Sequence, residues 1–426
     1  MKKYAHGSLG HKSSHVECSC SEPSQKPSSI MAEVQGHHDP AFSPLSTLLK
    51  SFIQSGEELG ASICVNHNGR DIVDIWGGYT DLSRTKPWTH DTITNVWSTT
   101  KTVTSLAALI LVERGQLDLE APVSKYWPEF AQNGKEGVKV KHIISHTSGV
   151  SGWEEKLTWQ DVCDVEKATA MLAKQKLWWE PGTKSGYQAI NMGHLVGEVV
   201  KRVSGLPMKQ FVEKEIAGPL GADFQIGCKE SDWHRISNVI PPPPPPKGVK
   251  VDRQSVMYKT FANPFIDARI SHTPVWRHSD LGAANGHGNA RSVARMLSPV
   301  SMGGTVPGLS EPLLSNKTID RIFEVQAHGQ DLVTMLQHRF GIGFGLPAPG
   351  TSLDWLPEGR ICFWSGWGGS IVIMDVDRKL TIAYVMNKME GGNPTAPWGN
   401  RTIAYVQTVY RCLGVALPPQ ATMAKL

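Results

Sequence analysis

The stretch that most constrains this chain is Trp97-Ser98-Thr99-Thr100-Lys101, together with the apolar series behind it. After Ser98, the residues Val103, Leu106, Ala107, Ile110 and Leu111 recur at helical spacing, and Gly115 follows Glu113-Arg114 as a stop. The spacing predicts a helix that begins at the serine and lies with one face in a core. Ser98 and Lys101 stand three residues apart, which on a helix places them on one side, one turn above the other. The serine hydroxyl then sits at the positive end, where unpaired backbone N–H groups point outward. That end disfavours an ammonium, so a half-buried Lys101 is expected to lose its proton below the reference pKa of about 10.4. A hydroxyl beside such an amine describes an activated nucleophile. Because S-x-x-K arises by chance in many helices, its weight comes from the residues that accompany it.

Composition narrows the setting. A chain of 426 residues can bury a large core in one or two domains, and 40% hydrophobic with 19% charged residues fits a globular protein. The net charge of +4 is spread thinly, so neither nucleic acid nor membrane is an expected partner. No stretch approaches the roughly 20 apolar residues of a transmembrane helix. Met1-Lys2-Lys3 is followed by His6-Gly7-Ser8 with no apolar run, so a secretory signal is not expected. The odd count of seven cysteines argues for free thiols in an intracellular chain. Cys18-Ser19-Cys20 with His15 lacks a second ligand pair, so no metal site is expected there. Ala424-Lys425-Leu426 resembles the S-K-L peroxisomal address with Ala for Ser, which predicts an import receptor as partner and otherwise a cytoplasmic location.

Along the chain, residues 1–40 are polar and aperiodic and read as a disordered leader. Leu45, Leu48, Leu49, Phe52 and Ile53 mark an amphipathic helix. Two apolar stretches, 61–67 and 71–76, flank Asn68-Gly69, the strongest two-residue hairpin signal. From Leu117 helices and long loops take over. Lys141 to Gly149 reads as a short helix closing in a turn, with His142 and His146 as packed or capping residues because no acidic partner completes a metal set. Met192, Leu195, Val196, Val199, Val200 and Val203 mark another helix. Pro241 to Pro246 is a polyproline strut, and the stretch 233–285 is long enough to form a lid over a cleft. Strands return at 361–364, 370–375 and 380–386, and a helix carrying Ile403, Val406, Val409, Tyr410 and Leu413 closes the chain. The expected division is a sheet domain from 41–116 and 340–426, with a mainly helical domain at 117–339 inserted between.

Three pieces then line up in order: Ser98-x-x-Lys101, Tyr187-Gln188-Ala189, and Trp364-Ser365-Gly366 at a strand end. With 142–149, Val112-Glu113-Arg114-Gly115-Gln116-Leu117 and Gly286-His287-Gly288-Asn289-Ala290-Arg291-Ser292, the chain resembles the serine β-lactamase and penicillin-binding-protein superfamily over about 45–413. It is most similar to the esterase branch, the family VIII carboxylesterases, and to the fungal acyltransferases of that fold. The resemblance implies an α/β (α+β) fold, with an antiparallel sheet flanked by helices plus a helical insertion.

It also implies roles. Ser98 is the expected nucleophile, Lys101 its proton acceptor or relay, and Tyr187 a general base and acid held as phenolate by a nearby Lys101 ammonium. The oxyanion hole is expected from the N–H groups of Ser98 and Trp367, with Trp364, Ser365 and Gly366 standing where β-lactamases carry Lys-Thr-Gly; Trp367-Gly368-Gly369 with Ser370 is the alternative register. Trp364 and Ala189 replace the lysine and asparagine that hold β-lactams and peptides, so an apolar ester or thioester is the expected substrate and β-lactam turnover should be feeble. No cofactor is expected. Ester hydrolysis, acyl transfer to an alcohol by the same acyl-serine, and a non-catalytic relative are the three readings this leaves.

Overall fold

Residues 33–244, 252–305, 307, 309–391 and 398–419 are described by a computed structural model of the chain. The strands are β1 Gln35–His38, β2 Gly60–His67, β3 Arg70–Gly78, β4 Thr94–Asn95, β5 Phe224–Ile226, β6 Gly286–Gly288, β7 Ala327–Gln330, β8 Gln337–Phe340, β9 Ile361–Ser365, β10 Ile371–Asp375 and β11 Leu380–Met386. Six of them form one antiparallel sheet in the order β1-β3-β2-β11-β10-β9. Its hairpin β2–β3 closes at Asn68 and Gly69, both at positive φ (52° and 78°), which is what a two-residue primed turn demands. The sheet thus joins strands from both ends of the sequence, and β9 lies at one edge.

Helices cover both faces. Leu45, Leu49 and Ile53 bury one stripe of Ser43–Ser55, while Tyr405, Val406, Val409 and Tyr410 do the same for Asn400–Cys412. On the other face Ala290–Ser301 lies against β2, β10 and β11 through residues including Val293, Met296, Leu297 and Val300. Thr100–Glu113 crosses from this layer to the helical region, where it meets Asn191–Ser204. Nearly all its side chains through Leu111 are buried, so it is a central rather than one-faced helix.

Several expectations change. The leader ends before residue 40: Gln35–His38 pairs with β3, held by backbone bonds on an exposed polar strand that shows no hydrophobic alternation. Gly36 is required there, since a Cβ would stand 2.0 Å from the Asp74 carbonyl oxygen. Ala290–Ser301, within the stretch 117–339 expected as the helical insertion, packs on β2, β10 and β11 of the sheet. The Ser98 helix starts late: Trp97–Thr99 is a 3₁₀ turn and the α-helix runs from Thr100. Across 233–285 the described residues hold the short helices Glu230–Arg235, Val256–Ala262, Ala268–His272 and Pro274–His278, more regular structure than expected. Pro245 and Pro246, Cys18, Cys20, His15 and Ala424-Lys425-Leu426 lie outside the described residues. No helix among the described residues is long and apolar enough to cross a membrane.

The sheet's far side is locked by a buried charge network. Glu58, fully buried, pairs with Arg401, accepts from the Tyr384 hydroxyl at 2.6 Å and faces no water. Breaking such a pair leaves an uncompensated buried charge. Arg401→Leu is expected to cost about 3–5 kcal/mol in urea unfolding, and Glu58→Gln added to it should restore most of that loss. A loss below about 1 kcal/mol for the single variant would contradict this role.

Candidate active site

Trp97 holds a left-handed backbone, φ 48°, immediately before Ser98. The turn persists because its surroundings fix it: Thr100 Oγ1 donates to the Trp97 carbonyl at 2.5 Å and accepts from the Gly286 N–H at 2.9 Å, while the Val96 N–H donates to the Gly286 carbonyl at 2.8 Å. Ser98 is thereby presented at the floor of a cavity of about 510 Å³.

Three side chains converge on that floor. The Tyr187 hydroxyl donates to Ser98 Oγ at 2.6 Å, and Lys101 Nζ lies 2.9 Å from the same oxygen. Lys101 Nζ also donates to the carbonyls of Ala189 at 2.8 Å and Ala283 at 3.0 Å. It has no carboxylate partner, and burial drives its pKa well below the ordinary value of 10.5. A neutral amine has two N–H bonds and one lone pair; the two carbonyls take the former, and the lone pair is left for the Ser98 proton. Burial also pushes Tyr187 up to about 12, with the bond to Ser98 opposing it. Burial thus favours the neutral form of both the amine and the phenol. This corrects the expected phenolate: removing both groups from water outweighs their mutual attraction, although Nζ stands 4.9 Å from the phenol ring centre.

The third motif comes from the β9–β10 hairpin. Trp364 stands beside Tyr187 (ring centres 6.0 Å apart) and His146 (5.0 Å), whereas Trp367 lies on the opposite flank against Trp97 (5.1 Å). Ser365 and Gly366 line the cavity between them. At Gly366 a Cβ would come within 2.2 Å of the Val96 carbonyl oxygen, so only glycine lets the strand end meet the serine turn this closely. Neither the Ser98 nor the Trp367 N–H makes a hydrogen bond among the described residues.

The two histidines take structural parts. His142 Nδ1 accepts from the Lys139 N–H at 3.2 Å, and His146, buried and held neutral by desolvation, accepts from the Gln188 N–H at 3.2 Å. No three His, Cys, Asp or Glu side chains among the described residues are placed to hold a metal ion. Some contributors were invisible in the sequence. Ala283 acts through its carbonyl, for which its side chain carries no signal. Asp331, fully buried, receives the Tyr187 N–H at 3.2 Å from 144 residues away. The remaining walls are largely apolar and include Trp153, Phe261, Phe265 and Phe340.

The chain is similar to known proteins in sequence and fold. The family described as Beta-lactamase matches residues 45–405. The esterase/beta-lactamase LipL of Mycobacterium tuberculosis is 28% identical over 360 residues, covering 78% of this chain and 82% of that one. A solved family VIII carboxylesterase is 33% identical with a TM-score of 0.82, covering 89% of this chain and all (100%) of that one. Simvastatin synthase, LovD, from Aspergillus terreus shares the fold at 16% identity and a TM-score of 0.62, covering 87% of this chain and 98% of that one.

The buried lysine carries a stability cost with a definite sign. Between its depressed folded value and the ordinary 10.5, the unfolded chain binds more protons than the folded one, so stability rises with pH across that window. Lys101→Met should remove this slope and stabilise the fold at neutral pH by about 1–2 kcal/mol, measured by urea unfolding across a pH series. An unchanged slope would show that the amine is not desolvated.

Proposed function

Because the chain belongs to the beta-lactamase family, we propose that it is a serine hydrolase that cleaves the carboxylic ester of a small, largely apolar molecule through an acyl–Ser98 intermediate. The observation that carries this reading is the meeting of hydroxyl, amine and phenol at Ser98 Oγ, at 2.6 and 2.9 Å, on the floor of a mainly apolar cavity. The esterase names of the relatives and the kinship to a family VIII carboxylesterase support it.

Ser98 Oγ attacks the ester carbonyl while its proton passes to the Lys101 lone pair. The developing oxyanion is received by the free N–H groups of Ser98 and Trp367, which favours the Trp364-Ser365-Gly366 register of the third motif. As the C–O bond to the leaving alkoxide breaks, Tyr187 gives it a proton, and the resulting phenolate is balanced by the Lys101 ammonium. Water then enters, loses a proton to that phenolate and attacks the acyl carbon. Collapse releases the acid as Lys101 returns its proton to Ser98 Oγ, and every group is restored. The phenolate thus belongs to the acyl-enzyme and not to the resting site.

Trp364 and Ala189 lack the charged and amide handles that the resemblance places at these two positions for a β-lactam, so an ester is favoured over that substrate. A second reading, transfer of the acyl group to an alcohol, draws support from the partly exposed apolar surface of Phe261, Phe265 and Trp367 around the cavity, where an acceptor can compete with water. We retain in the proposal an intracellular setting with peroxisomal import through Ala424-Lys425-Leu426.

With a p-nitrophenyl ester, Ser98→Ala should abolish turnover and the mass shift of an acyl adduct. Tyr187→Phe should lower kcat by about 10²–10⁴-fold. Activity surviving Ser98→Ala would overturn the mechanism, and product that is always free acid in the presence of alcohols would remove the transferase reading. A fluorescent fusion ending in Ala424-Lys425-Leu426 should meet a peroxisomal marker, and one lacking these residues should not.

A further inference from the structure

Among the polar side chains that line the mainly apolar cavity and that the reaction at Ser98 does not use, three form a connected chain. These are Thr334, His338 and Ser352. His338 lies between the other two: Nε2 is 2.9 Å from Thr334 Oγ1, and Nδ1 is 3.0 Å from Ser352 Oγ. Thr334 Oγ1 continues to Asp331 Oδ1 at 3.3 Å and receives the Leu336 N–H at 3.4 Å. Its capacity fixes the direction of every bond. A hydroxyl has one proton and two lone pairs, and a carboxylate oxygen only accepts. Thr334 therefore donates to Asp331 and accepts from Leu336 and from His338 Nε2–H. His338 Nδ1 is then a lone pair, and the Ser352 proton points to it. Burial keeps this imidazole neutral, lowering it to about 4, so the arrangement holds at ordinary pH.

The consequence lies at Ser352. Its proton is committed inward, and its oxygen makes no other hydrogen bond among the described residues, so its lone pairs are unfilled. The residue is also held rigidly: its carbonyl receives Trp398 Nε1 at 2.7 Å and Trp355 Nε1 at 3.1 Å. From Tyr187 the cavity wall runs through Trp364 and Phe340 to His338, with ring centres 6.0, 5.7 and 5.1 Å apart in turn. The serine thus stands at the end of an aromatic wall, remote from the nucleophile.

We infer that Ser352, oriented by His338, Thr334 and Asp331, is a hydrogen-bond acceptor for a hydroxyl carried by the substrate at the end remote from the scissile ester. This rests on the esterase reading and refines its substrate class: an apolar ester with one distal hydroxyl, not a plain alkyl ester. A fixed acceptor in an apolar wall discriminates strongly, because an analogue without the donor leaves it unpaired once water is expelled.

The test uses p-nitrophenyl octanoate and octyl acetate, each with and without a hydroxyl moved carbon by carbon along the chain. For wild type, kcat/KM should peak at one hydroxyl position in one series, about tenfold above the parent ester. In Ser352→Ala the ratio at that position should fall to about one, and Ser352→Thr, which keeps a hydroxyl, should restore part of it. His338→Phe should weaken it. Asp331 is unsuited to the test because its carboxylate also anchors the Tyr187 main chain. A flat profile in wild type, or a preference that survives Ser352→Ala, overturns the anchor. Binding of the same esters to Ser98→Ala, followed by tryptophan fluorescence, separates the two levels. Tighter binding of the hydroxylated ester without turnover by wild type upholds the anchor and sinks the esterase reading; turnover without any binding preference does the reverse.

Discussion

The burial of one amine organises this molecule. Lys101 Nζ lies in a fully desolvated position between the carbonyls of Ala189 and Ala283, with Ser98 Oγ as its third neighbour. No carboxylate among the described residues balances it, so burial favours the free base. That burial draws together three distant stretches of chain: the 3₁₀ turn at 97–99, the segment entering Asn191–Ser204, and the loop before β6. The proton inventory of the site follows from it. A lysine in water is an ammonium and a poor acceptor; removal from water shifts this one toward the free base.

The sheet matters to the site through its edge. Among the described residues β9 has β10 on one side and, on the other, only the Gly345 bridge to Phe363. Its end can therefore reach the serine turn. Gly366 makes that approach possible, and Trp364 and Trp367, three residues apart on the hairpin, both line the cavity. Trp364 gives the cavity an apolar wall beside Tyr187. An aromatic wall runs from Tyr187 outward to His338, which holds Ser352.

The reach of the sequence was set by how each residue acts. Asn68-Gly69, the strands at 361–386 and the closing helix were legible because turn chemistry and side-chain period are local properties. Ser98, Lys101 and Tyr187 were legible as a set because their side chains carry the chemistry, and the structure does bring them together. Contributions made by the backbone left no trace. Ala283 offers a carbonyl, Trp97 a left-handed φ, and β1 a ladder of main-chain bonds on a polar strand. That Ala290–Ser301 covers the sheet is not legible in the sequence, because a helix's pattern shows that it has a buried face but not what lies against it. The Tyr187 phenolate was misplaced for a related reason: charge attraction could be foreseen from residue types, whereas the depth of burial that defeats it could not.

The most direct test of the account is the pH dependence of Ser98 acylation by a fluorophosphonate, which bypasses substrate preference. If Lys101 serves as a desolvated base, the labelling rate rises with pH through an inflection well below the lysine's ordinary 10.5. That inflection should persist in Tyr187→Phe and vanish with nearly all labelling in Lys101→Met. A wild-type inflection at the ordinary lysine value, or a profile unchanged by Lys101→Met, would contradict the claim that a buried neutral amine drives this site.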